Sequence, residues 1–399
     1  MNRLSDKTRL WLRVIAFAVA LVVGIGGITI GVVRLGSKKP GYYACETNPD
    51  EQAPTYALGV SLQYYLDGNS DAIKETSNRL RDAYSAALSR AYKLLDARNN
   101  YDGFVNLATL NAAYGTEIQV SDELFAVLTD AWDRTQAGEG FNLFAGALYE
   151  EWNSILILDE PEPFDPLNDD EVRIRIAELA KRTAELSNFS LTVLDAASHR
   201  IRVDVSEDYL AFLRENEYGT TVLDLNLLEV AYRLRIVRDA LEADGLCHGY
   251  LTTSDGLTVS LSGNAVGEYA AYGLIDGKLA QIAALPVTAS SACSIFCAAF
   301  TDIPYYYRIT TGGVTHYRHP YFDAAGEFPE LLEMAAVVAG DPVDARCAVI
   351  RMNNAQTTAE LQAAANGAAY RLQGQPDTLY SGVEALRVIA DGVHTAPIG

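Results

Sequence analysis

Leu223–Leu241 reads LDLNLLEVAYRLRIVRDAL. Leu227, Val230, Ala231, Leu234, Val237 and Leu241 recur at steps of three and four, which draws one apolar stripe along a helix. Asn226 followed by Glu229 resembles an N-terminal capping pair, and Glu229 with Arg233 is a favourable ion pair one turn apart. The stretch therefore predicts a helix packed against a core.

The surroundings alternate between helix and antiparallel strand signals. Upstream, residues 56–66 alternate as a strand, and Asp71–Asp96 has a long helical stripe through Ile73, Leu80, Tyr84, Leu88, Ala91 and Leu95. Ser121 opens a further helix that Gly138 and Gly140 close, Asp170–Ser187 is helical, and Ser190–Val203 reads as a hairpin. Downstream, 249–308 alternates short strands with glycine turns, and Thr357–Leu372 predicts a last helix. This order implies an α+β body with mixed or antiparallel sheets and packed helices, not a doubly wound sheet.

Between two of the helices, Asp159–Glu171 (DEPEPFDPLNDDE) holds seven acids and three prolines. It lacks the alternate ligands and turn glycine of a calcium loop, and reads as a solvated linker.

Val14–Val33 is a 20-residue run without a charge, long enough to span a bilayer as a helix. It has no polar face, as a core helix would, and no clear cleavage site, as a signal peptide would. An uncleaved anchor is expected, with residues 1–13 a short basic cytoplasmic N-terminus, 34–55 a linker and 56–399 the extracytoplasmic body. Four basic residues precede the run and three follow it, which favours this orientation. Residues 1–39 carry +6, so the rest of a chain of net charge −21 carries −27. Such a body repels phosphate backbones and excludes nucleic acid as a partner.

The five cysteines, Cys45, Cys247, Cys293, Cys297 and Cys347, leave at least one thiol without an internal partner, and spacing does not assign pairs. Cys293 and Cys297 in CSIFC have no second pair at zinc spacing and read as small buried residues.

Taken in order, several segments resemble the ApbE family, the FAD:protein FMN transferases. LNAAYGTEIQVSDELFAVL, Leu110–Leu128, is similar to that family's "LN…G…VS.EL..LL", and GEGFNLFAGALYEEW, Gly138–Trp152, to its "GAFDPTVGPLVRLW". LDLNLLEVAY, Leu223–Tyr232, stands at "DLGGIAKGY", and TTSDGLTVSLSG, Thr252–Gly263, at "NLGGDI…G". HYRHPYFDAAGEFP, His316–Pro329, stands at "YHHILDPRTGYP", and DPVDARCAVI, Asp341–Ile350, at "ADALATAL". The order holds from Tyr56 to Ala365.

This resemblance implies the T-fold-like ApbE body, FAD as substrate or ligand, a magnesium ion and a target flavoprotein as partner. It implies Asp344 as the metal ligand, His319 as the catalytic residue near the phosphates, and Asp224, Tyr232 and Asp255 as cofactor-binding residues. The departures are as specific. The family's paired glycines are Asn226 and Leu227, its lysine is Val230, and its metal-binding threonine is Ala348. Its motif aspartates become Phe322 and Asn142; SSACS, Ser290–Ser294, is the nearest stretch to its "ATSG" turn, and no acceptor segment for covalent FMN is present. Two functions follow as expectations: a membrane-anchored FMN transferase with a divergent site, or a non-catalytic protein of that fold binding a flavin, another small ligand or a partner protein.

Overall fold

A computed structural model describes residues 39–53, 59–264, 267–300 and 304–398. The expected anchor lies outside them; among the described residues no helix is long and apolar enough to cross a membrane.

Two strands, β1 (Gly41–Cys45) and β2 (Val60–Leu66), lead into helix α1 (Ser70–Leu95). Then follow α2 (Leu107–Asn111), β3 (Glu117–Gln119), α3 (Asp122–Gln136), α4 (Gly146–Leu156) and α5 (Asp170–Ala184). The hairpin β4 (Phe189–Asp195) and β5 (Arg200–Val205) precedes α6 (Glu207–Glu215) and α7 (Glu229–Ala243). Strands β6 (Gly249–Thr253), β7 (Leu257–Ser260), β8 (Gly267–Ile275), β9 (Lys278–Val287), β10 (Ala292–Cys297), β11 (Tyr307–Thr311), β12 (Val314–Arg318) and β13 (Leu332–Ala339) follow. The chain closes with α8 (Pro342–Asn353), α9 (Thr358–Ala364), β14 (Ala368–Leu372), β15 (Thr378–Ser381), β16 (Arg387–Val388) and β17 (His394–Pro397).

Among the described residues, nine strands form one sheet in the order β1-β2-β6-β7-β10-β13-β14-β15-β17, antiparallel except for β15 with β17. Successive side chains of a strand face opposite ways, and this alternation divides the interior. Ala292, Phe296, Ala335, Val337 and Tyr370 face the main core, into which α1, α7 and α8 pack. Cys293, Cys297, Met334, Ala336 and Ala369 face a second core, closed by the sheet β16-β9-β8. The two cysteines of CSIFC are thus small buried residues on the second face, each 0% exposed. All five cysteines are free.

Most helix boundaries follow from their caps. The Asn69 side chain accepts from Ala72 N at the start of α1, the Ser121 side chain from Leu124 N at α3, and Gly138 leaves α3 at a φ of +68°. Three expectations are corrected. The stretch 34–55 is not wholly a linker, because Gly41–Cys45 pairs with β2 along its full length. Thr357–Leu372 is helical only to Ala364; Gly367 turns at +64°, and Ala368–Leu372 is a strand hydrogen-bonded on both sides. A strand buried on both faces shows no polar alternation, so the sequence pattern there does not distinguish it from helix.

The third correction is the acidic segment. Glu162–Phe164 is a 3₁₀ turn, and Asp165 at its end is 0% exposed. Arg318 Nε donates to Asp165 Oδ2 at 2.8 Å, Tyr307 Oη at 2.7 Å, and Leu167 N reaches Oδ1 at 2.8 Å. The loop is solvated at its flanks and pinned to the β11–β12 hairpin at its centre.

Candidate functional site

The opening stretch enters its helix through a clamp. Asn111 Nδ2 donates to Leu223 O at 2.8 Å and Asn111 Oδ1 accepts from Leu223 N at 2.9 Å, while Asp224 N bonds Leu143 O at 2.9 Å. Gly146 is obligatory beside it: a Cβ there would lie 2.5 Å from Thr221 O and 3.1 Å from Asp224 Cβ. Asp224 is 6% exposed; it accepts from Asn226 N at 2.8 Å and lies 3.5 Å from Arg98. Burial, with Glu229 nearby, pushes its carboxyl up to about 6.

Asn226 stands where the resemblance puts the first glycine, and it holds a φ of +48°, a left-handed conformation that asparagine tolerates and glycine adopts freely. The expected capping pair does not form. Asn226 instead donates its side-chain amide to Asp224 O at 3.0 Å, and the cap position of α7, Leu228, has no side-chain bond. The Glu229–Arg233 ion pair and the apolar stripe are present, with Ala231, Leu234, Val237 and Leu241 each 0% exposed and Leu227 and Val230 packed at the core's edge.

Tyr232 is 0% exposed, and its hydroxyl lies 3.1 Å from Asp130 Oδ2. Arg134 Nε bonds the other oxygen of Asp130 at 3.0 Å, its Nη1 bonds Glu139 at 3.0 Å, and its Nη2 bonds Asp344 at 2.6 Å. Tyr232 and Asp344 are thereby brought into one network through Asp130 and Arg134. Asp344 lies in the first turn of α8, whose cap Asp341 faces Arg238 at 3.4 Å and Arg235 at 4.0 Å. Each carboxylate here already has a guanidinium.

This donor set does not fit a magnesium ion, which needs near-octahedral oxygen coordination. Ala348 offers no oxygen one turn beyond Asp344, Cys347 is held as a thiol by burial that pushes it up to about 12, and a guanidinium lies on Asp344. Among the described residues no three acidic, histidine or cysteine side chains form a metal-binding group.

Asp255 and His319 share a second neighbourhood. Asp255, in the β6–β7 turn, accepts from Thr253 and, at 2.8 Å, from Arg346 Nη2. Arg346 is 0% exposed and its guanidinium lies 5.6 Å from the Tyr321 ring. His319 is 2% exposed, with Phe296 at 4.9 Å, Phe328 at 5.2 Å, and Tyr306 and Tyr321 each at 6.1 Å between ring centres. Burial and then Arg318 pull its imidazole down to about 3, so it is neutral at physiological pH. Phe322, at the family's aspartate position, packs on Tyr149 at 4.4 Å. Asn142, at the other, donates to Thr183 O and accepts from Phe144 N.

Several polar atoms in this interior have no protein partner: Arg346 Nε and Nη1, Tyr321 Oη and His319 Nδ1. A groove of about 100 Å³ between Thr315, Tyr317, Glu330 and Gln373 contains none of the candidate residues. It is also smaller than the several hundred Å³ usual for a cofactor pocket.

Sequence reasoning missed the arginines. Arg134 was visible as the partner of Asp130 one turn earlier, and Arg346 as a charge directly before the apolar run Cys347–Ile350 of α8. Arg318, the partner of buried Asp165, had no local signal, since 153 positions separate the pair.

The sequence matches no family model and no curated protein. Solved structures do match. The ApbE protein of Thermotoga maritima superposes with a TM-score of 0.55 and 15% identity over 84% of this chain and 96% of its own. The flavinyl transferase ApbE of Pseudomonas stutzeri, in its apo form, gives 0.49 and 15% over 86% and 93%. At this identity the likeness is one of fold, and the described body is a divergent ApbE-like fold.

Proposed function

We propose that this chain is a membrane-anchored, non-catalytic protein built on the ApbE-like fold. One observation carries the reading: the residues aligned with the flavin and metal positions are engaged with this chain's own side chains. Arg134 holds Asp344, Arg346 holds Asp255, aromatic rings enclose His319, and Phe322 packs where an aspartate is expected. A transferase needs an open surface for the cofactor and a cation for its pyrophosphate. Purified protein should bind FAD weakly, equally with and without magnesium, and should move no FMN onto a peptide bearing the family's acceptor segment. Tight, magnesium-dependent binding with transfer overturns the reading.

A second reading, a divergent FMN transferase, has one observation in its favour. The unpartnered N–H groups of Arg346 and the hydroxyl of Tyr321 would be satisfied by a phosphate. On that reading His319, Asp224, Tyr232 and Asp255 serve the flavin, and R346M abolishes its binding.

The anchor is supported by the uncharged run Val14–Val33 and by its flanking basic residues. With the body outside, a membrane-impermeant thiol reagent should label E160C on intact cells more heavily than the unsubstituted protein. Extra labelling only after lysis would place the body inside.

A further inference from the structure

We propose that Arg134 is the resident cation of this fold's acidic corner, standing where a divalent ion would otherwise be held. Its three side-chain nitrogens each have a separate carboxylate: Asp130 from its own helix, Glu139 from the turn beyond it, and Asp344 from the first turn of α8. The guanidinium is a rigid fork, so three acids on three segments define its position in the way ligands define a metal. Its side chain is 15% exposed, against 56% for Asp344, so the arginine is the inner member of the group.

The arrangement links α3 to α8 without an ion from solution. Arg351 stands 3.7 Å from Glu139, and Arg235 lies 3.2 Å from Asp130, so two of the three carboxylates have a second cation nearby. A magnesium ion entering here would have to displace a guanidinium from Asp344 and would meet more positive charge behind it. The folded body is therefore independent of divalent metal, whereas removal of the arginine leaves Asp130, Glu139 and Asp344 with negative charge that a divalent cation in solution can partly offset.

The full chain carries the test. Its melting temperature should be the same in millimolar magnesium, calcium or manganese as in chelator at matched ionic strength, and manganese should stay free by electron paramagnetic resonance. R134M, which removes the shared partner of three carboxylates, should melt lower by roughly 5 °C, and millimolar manganese or calcium should restore part of that loss. The restoration should disappear when D344N is added. Manganese binding by the wild type that D344N removes overturns the proposal, as does R134M melting like the wild type without a metal response. Should R134M not fold, R134K keeps the charge without the fork and should show a smaller loss without restoration, and the wild-type manganese measurement decides. FMN transfer in the assay above, without a metal requirement, would remove the non-catalytic reading and leave this one intact.

Discussion

Asp224 and His319 are buried titratable groups with opposite pH signatures. The Asp224 carboxyl is raised from 3.8 to about 6, so between those values the folded state holds more proton than the unfolded one. Its stability contribution falls as pH rises through that window, and the penalty is complete above it, at about 3 kcal/mol at most. His319 is lowered from 6.5 to about 3, so its contribution is fully present above 6.5 and is lost as pH falls toward 3. In the shared window the two oppose each other. D224N keeps an acceptor for Asn226 N and removes the charge, so it should be more stable than the wild type at pH 7 and converge with it near pH 4. Urea denaturation at several pH values measures this. A gap that is constant with pH would mean that Asp224 titrates alike in the folded and unfolded states.

Among the elements, the acidic segment departs most from its reading in the sequence. Seven acids among three prolines indicate solvation, and for the flanks they do so correctly; the ion pair at Asp165 depends on a partner in a hairpin far along the chain. R318M leaves that carboxylate buried and unpaired, and should cost about 3–5 kcal/mol. Y307F removes one neutral donor and should cost about 1–3 kcal/mol. Chemical denaturation ranks them, and a protease that cuts on the N-terminal side of aspartate should cut at Asp165 or Asp169 faster in R318M than in the wild type. Equal cutting would show that the pin does not order the loop. The helices α1, α3, α5 and α7 were legible because their stripes and most of their caps are local. The break at Gly367, the left-handed turn at Asn226 and the contacts of Arg134 and Arg346 were not, since each is decided by what packs against it in space.

For the whole molecule, β1 shows that the described body begins before residue 56 and already includes Gly41. A chain beginning at Lys39 retains β1 and all the described bonds, and should unfold cooperatively when its circular dichroism is followed on heating. Recovery of that chain only as aggregate would show that the body needs what precedes it. Reductant should leave its melting temperature unchanged, because all five cysteines are free and Cys293, Cys297 and Cys347 are buried.

The nine-stranded sheet begins at β1 on one edge and ends at β17 on the other. With neighbouring strands about 4.8 Å apart, the two edges are separated by roughly 38 Å along the sheet. On the proposed anchored reading the molecule would be held by one margin of this sheet. Tension on the tether meets first the ladder joining β1 to β2, Gly41 opposite Leu66 through Cys45 opposite Leu62, and is loaded on Gly41 at its outer end. On the proposed anchored reading, a pull away from the sheet would open that ladder rung by rung from Gly41, and β1 would act as a mechanical fuse between tether and body.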